Sequence, residues 1–149
     1  MTRTTVGWAL ALVLAGVMGS GCGPGFRLYP ASPLRSTYIA DVSVMYAPAL
    51  EADKRRMLDR LDVPGEMQRA LRGSFPPGPG PRMVVVITQF RSGRWGPTRM
   101  HAVMQLFDPY GQVVAQFEAD STTTRGSSRA GLIRNVAQDC VDQLASRLQ

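Results

Sequence analysis

The sequence predicts an α+β fold: one domain with a mixed or antiparallel sheet of about four strands and two helices packed on one face, in the order β-α-β-β-β-α. Three observations carry that expectation. Residues 99–120 alternate apolar and polar side chains on either side of an Asp108-Pro-Tyr-Gly111 turn, the pattern of a hairpin. Residues 130–148 space Ile133, Val136, Ala137, Cys140, Val141, Leu144, Ala145 and Leu148 by threes and fours, which makes one apolar stripe on a helix. The 149-residue chain is long enough for one core, and nothing in its composition marks a second domain.

Residues 1–21 stand apart from that domain. Arg3 precedes an apolar run over 6–18, and Gly19, Ser20, Gly21 and Cys22 follow it. As a helix, the 13-residue run reaches about 20 Å at roughly 1.5 Å per residue, short of a ~30 Å hydrocarbon core. No charge separates Arg3 from Arg27, but a longer span would cross Gly19, Gly21, Gly23, Pro24 and Gly25, where helix propensity collapses. A positive start, a short apolar core and small residues before a cut site describe a signal peptide that is removed. The Gly21-Cys22 pair resembles the lipobox of bacterial lipoproteins, although Gly19 stands where that motif usually carries a large aliphatic residue. The resemblance implies cleavage before Cys22 and acylation of its thiol, so that the membrane is held through the lipid anchor on Cys22. Two or three acyl chains hold durably where one myristoyl chain does not. Gly23 in place of Asp implies, again by resemblance, sorting to the periplasmic face of the outer membrane. A plain secreted protein cut near Gly19 or Gly21 is the alternative.

Residues 22–36 hold three prolines, two glycines and no period, and read as a tether to a domain over 37–149. The first strand is expected over 37–46, where Tyr38, Ala40, Val42, Val44 and Tyr46 share a face until Pro48. A helical pattern over 49–73 uses Leu50, Met57, Leu58, Leu61, Met67, Ala70 and Leu71. Pro64-Gly65 splits it, and Asp62 is suited to cap the second piece. The mixed charges of 51–60 read as a solvated face. Residues 73–81, with Pro76, Pro77, Pro79 and Pro81, read as a loop because each proline removes a donor. The continuous apolar run over 83–90 reads as a strand covered on both sides. Strands over 99–108 and 112–120 form the hairpin, with Met100, Ala102, Met104 and Leu106 on one face and Val113, Ala115, Phe117 and Ala119 aligned on the other strand. Residues 121–129 read as a polar loop whose serines can cap the last helix.

The chain is basic, +6 net, and Lys54 is the single lysine among its 17 basic residues. Arginine forks suit phosphate and carboxylate, although biased genome composition gives the same excess. An exported protein does not meet nucleic acid, so none is expected as a partner. With Cys22 acylated, Cys140 has no partner in the chain, and its place on the helix stripe makes it a buried, inert thiol. His101 is the only histidine and lies on the strand face with Arg99, Val103, Gln105 and Phe107. One histidine without a cysteine cluster makes no structural zinc site, and no nucleophile-elbow motif accompanies it. The glycines at 19, 21, 23 and 25 neither follow a strand nor open a helix, so they are no dinucleotide fingerprint. No catalytic residue, metal or cofactor is expected. The candidate binding loop is 91–99, where Arg91, Arg94 and Arg99 flank Trp95, a combination frequent in binding hot spots.

The aliphatic segment 84–90, the basic glycine loop 91–99 and the Asp108-Pro-Tyr-Gly111 turn resemble a domain found in uncharacterised small envelope lipoproteins of Gram-negative bacteria. The run Cys22-Gly-Pro-Gly-Phe-Arg-Leu28 and the order of elements are distantly similar to the lipopolysaccharide-assembly lipoprotein. These resemblances imply a non-catalytic accessory or assembly factor that binds an envelope protein complex. The alternative is a lipid- or lipopolysaccharide-binding transport lipoprotein, with anionic lipid held by the arginine loop.

Overall fold

In the computed structural model, which describes residues 38–93 and 96–148, the strand signals pair in chain order. β1 is Ile39–Tyr46, and α1 (Ala52–Arg60) and α2 (Val63–Ser74) follow. Then come β2 (Pro77–Arg91), β3 (Thr98–Phe107), β4 (Val113–Thr123) and α3 (Arg129–Ser146). The sheet order is β1-β2-β3-β4, with β1 parallel to β2 and the other pairs antiparallel. That mixture follows from connection length. A parallel pair needs a crossover, which α1 and α2 supply, whereas the short links after β2 and β3 return the chain antiparallel. The molecule is therefore a single α+β domain with an open four-stranded sheet, its helices on one face, and the expected first helix broken into two.

The covered face is built by alternation. Met83, Val85 and Ile87 of β2, Met100, Ala102, Met104 and Leu106 of β3, and Ala115, Phe117 and Ala119 of β4 are buried. Met67 and Leu71 of α2, Leu58 of α1 and the stripe of α3 close over them. Ser128 caps α3 as its type suggests, its Oγ accepting from the Gly131 N–H at 3.1 Å. Asp108 Oδ1 accepts from the backbone N–H groups of Tyr110 and Gln112, at 2.9 and 2.8 Å, and Gly111 takes φ +83, so the hairpin turn forms as its residues require. Cys140 is fully buried, with Sγ 3.7 Å from the Met100 carbonyl oxygen, and burial pushes its thiol up to about 12.

Four local expectations need correction. Residues 77–81 are strand, not loop: β2 begins at Pro77 and pairs with β1 there. Pro77, Pro79 and Pro81 are two apart, so their missing N–H groups all lie on one side. That stretch runs past Phe107, the last β3 residue paired with β2, so the missing donors cost little. Residues 121–123 likewise extend β4, with Thr123 opposite Thr98 and Ser121 buried. Asp62 does precede α2, with Pro64 in the first turn as expected, but it turns left-handed at φ 51, ψ 34. The Asp62 side chain caps nothing; its Oδ2 accepts from Arg69 at 2.9 Å. Finally, β2 has helices on one face only, and the other side of its apolar run is open, as developed below.

One ion pair ties α2 to β1 across the layer. Arg72 donates to Asp41 Oδ1 at 2.8 Å and holds that carboxyl below its ordinary 3.8. A depressed folded pKa stabilises the fold above the ordinary value, and the contribution is lost as pH falls through the lower folded value. Both side chains are exposed, so the amount is under about 1 kcal/mol. Asp41→Asn should therefore lower the thermal midpoint slightly at pH ~6 and by less in acid, as the pH falls through the lowered folded value. An equal loss at both pH values would refute the assignment.

Candidate functional site

The sheet presents two features: a notch at its edge where β1 stops, bordered by α1 at Lys54, and the helix-free open face beside it. The notch arises because β1 is shorter than β2. Tyr46 pairs with Ile87, and the Ala47 N–H donates to the Ile87 carbonyl at 2.9 Å. Pro48 then turns the chain towards α1. Arg55 fastens that turn, donating from Nε to the Leu50 carbonyl at 2.7 Å and from Nη2 to the Ala47 carbonyl at 3.1 Å. Thus Arg55, expected in a solvated charge run, is a tie between helix and turn. Beyond Ile87, β2 continues to Arg91 without a β1 neighbour.

The space left is an open cavity of about 400 Å³. Its apolar floor includes Leu50, Phe90 and Met100, all buried. Polar groups make the walls. The register of β2 on β3 shifts between Ile87 and Gln89, so Thr88 is the extra residue of a bulge. Thr88 Oγ1 lies 2.6 Å from His101 Nδ1 and donates to the His101 carbonyl oxygen at 3.2 Å. His101 Nε2 faces Glu118 Oε2 at 3.7 Å. The histidine is thus a locked wall residue, on the face that its alternation assigns. Lys54 also lines the notch, but Glu51 Oε1 accepts from its Nζ at 2.6 Å.

Arg91 and Arg99 are different. They face each other directly as cross-strand partners, both exposed, on the side opposite Phe90 and Met100. Neither makes a hydrogen bond or ion pair with a described residue. Their backbone is held just beyond them. Ser92 Oγ lies 3.2 Å from Thr98 Oγ1, and Arg129 at the start of α3 donates to the Ser92 carbonyl at 2.8 Å. The structure therefore brings two of the four expected loop residues to one wall. Arg94 and Trp95 lie outside the described residues, as does Cys22 with the whole N-terminal segment.

The open face continues from the notch across the sheet. The partly exposed Val86 of β2, Val103 and Phe107 of β3 and the half-exposed Met45 of β1 form its centre, with Val84 buried between them. Around it stand Asp41, Arg82 and Glu118, with the Arg82 guanidinium 5.5 Å from the centroid of the Phe107 ring. Gln105 donates to Gln116 Oε1 at 3.0 Å, closing the polar side of the patch. Sequence reasoning missed this face because an unbroken aliphatic strand reads as covered on both sides. Among the described residues, no group of three or more histidine, cysteine or acidic side chains is placed to hold a metal ion.

No family model matches the chain, and no characterised protein matches it in sequence. Solved structures do match. A variant of PelC from Paraburkholderia phytofirmans, described as a dodecamer, is 14% identical with a TM-score of 0.48, covering 74% of this chain and 89% of that one. An uncharacterised protein gives 13% identity and a TM-score of 0.48, covering 78% and 95%. A second PelC dodecamer from the same organism gives 17% and 0.45, covering 77% and 91%.

Proposed function

We propose that this chain is a lipid-anchored accessory protein of the bacterial envelope that acts by binding another protein through its open sheet face, and not by catalysis. In this reading Cys22 carries the anchor on the periplasmic side of the outer membrane, and residues 22–36 span the gap to the domain. The observation that carries the binding role is the helix-free face on which Val86, Val103 and Phe107 are partly exposed beside the half-exposed Met45. A contiguous apolar patch on an otherwise polar surface marks an interaction site. An apolar centre with a rim of both signs, here Asp41, Glu118 and Arg82, has the anatomy of a protein interface. An acyl chain would find no use for such a rim, so the occupant is a protein surface with an apolar centre and mixed charges.

A photo-crosslinking residue at Val103 of the full-length protein, irradiated in its native cells, tests this. The expected result is one crosslinked envelope protein of fixed mass, absent when the probe replaces exposed Asp53 on α1 and lost in a Val86→Arg background. Equal crosslinking from both positions, or products made only of this chain, would overturn it. Mass spectrometry of the N-terminal peptide from the same cells tests the anchor. It should begin at Cys22 and carry acyl chains; a peptide beginning upstream would refute that part.

A further inference from the structure

We propose that the notch beyond the end of β1 binds a phosphomonoester on a small hydroxylated carrier, a sugar phosphate, with Arg91 and Arg99 as its two-pronged clamp. This site is separate from the protein-docking face and does not rest on it. The argument starts from an apparent defect. Like charges directly opposite on paired strands are destabilising, yet Arg91 and Arg99 sit in that register. No described carboxylate neutralises either one, although Glu51 is spent on Lys54 in the same notch. Two guanidinium groups with no ion pair to a described residue, on one wall of a cavity whose free carboxylate is Asp120, leave room for an anion between them.

Their backbone is also held. The strand ends that carry them are cross-braced by Ser92, Thr98 and Arg129, so the ordering cost at binding falls on the two side chains and not on the chain that presents them. The chemistry of the anion follows from counting. A carboxylate has two oxygens, and a single arginine fork occupies both. A phosphomonoester has three oxygens and nearly two charges at neutral pH, so it can serve two forks at once. The carrier follows from the rest of the lining. Asp120 and Gln89 offer acceptors on the other walls, which suit hydroxyl groups. An anionic polymer or a second phosphate would be repelled by Asp120. The volume of about 400 Å³ is in the range of small-molecule sites, and its polar walls do not fit an acyl chain.

Calorimetric titration of the full-length, detergent-solubilised protein with glucose 6-phosphate, glucuronate and inorganic phosphate is the test. Glucose 6-phosphate should bind saturably below about 1 mM and more tightly than either of the others. Arg91→Ala and Arg99→Ala should each weaken it about ten- to a hundredfold. Arg91→Lys, which keeps the charge and loses the fork, should recover only part of that affinity. Without ligand, the thermal midpoint of both alanine variants should hold or rise, because the opposed charges are relieved. No saturable heat up to ~10 mM glucose 6-phosphate would overturn the site, as would undiminished binding by both alanine variants. Inorganic phosphate binding equally well would overturn the sugar. Binding only to vesicles containing phosphatidic acid would overturn the soluble ligand in favour of a lipid headgroup. A fall in ligand-free midpoint in both variants would assign the pair to structure and refute the clamp.

Discussion

Leu144→Ala should destabilise the domain by about 2–5 kcal/mol, the cost of removing a fully buried leucine and leaving a cavity. Leu144 lies on α3, the helix that packs on β3 and β4 and against α2. Because helices cover only one face of the sheet, the whole hydrophobic core lies in that single layer, and no second layer shares the loss. Urea unfolding followed by circular dichroism should show a lower midpoint with an unchanged slope, since the surface exposed on unfolding hardly alters. The thermal midpoint should fall by roughly 10–20 °C. Tyr110→Ala is the control. Tyr110 is 90% exposed at the tip of the hairpin turn, so its loss should stay within about 0.5 kcal/mol. If the two variants lose equal stability, α3 does not seal the core as described.

The contrast between these positions also explains what was legible beforehand. The α3 stripe could be read because each of its buried residues contributes to a period of 3.6, and Ile133, Val136, Cys140 and Leu144 are all buried. The β3–β4 hairpin was legible because alternation and turn chemistry agree, down to Asp108 accepting two backbone donors. The start of β2 was not. Prolines argue against a strand by local chemistry, and only the early end of β3 makes Pro77–Pro81 tolerable there. The turn to the left at Asp62 was equally hidden, since the nearby Pro64-Gly65 carries the louder breaking signal. Of the candidate loop, the sequence indicated Arg91 and Arg99. It could not indicate that they face one another, because register depends on the bulge at Thr88.

The same bulge links architecture to the two proposed surfaces. A regular β2 would keep Thr88 in step with β3, and the notch would lack its Thr88–His101 wall. With the extra residue, β2 bends where β1 has already turned away under the grip of Arg55. The apolar face and the cationic notch are then neighbours on one side of the sheet. The apolar face is clear of the helices, so substitutions such as Val86→Arg can probe binding there without emptying the core, while the notch borders α1 at Lys54. That separation is what makes the crosslinking and titration results interpretable.

Gly80→Ala should cost about 1–3 kcal/mol, as expected when a well-packed region must shift to admit one methyl group. A Cβ built at Gly80 would lie 1.9 Å from the carbonyl oxygen of Tyr38 and 2.7 Å from its carbonyl carbon, and backbone atoms cannot swing aside as a side-chain end can. The strain falls where β1 and β2 are already out of step, between Ile39 and Asp41. The β1 end must therefore lift, drawing the buried Ile39 towards water and weakening the bond from its N–H to the Pro76 carbonyl at 3.3 Å. Amide exchange should accelerate at Ile39 and be little changed in β3, which has no contact with the added methyl. Gly73→Ala should act in the opposite direction. It lies inside α2 with open space around it, so alanine should gain roughly 0.5–1 kcal/mol through helix propensity. Opposite signs for two glycine-to-alanine changes only seven positions apart are what residues 77–81 packed against the start of β1 require. Equal, small effects would return that stretch to a loop and remove β1 as the wall that ends at the notch.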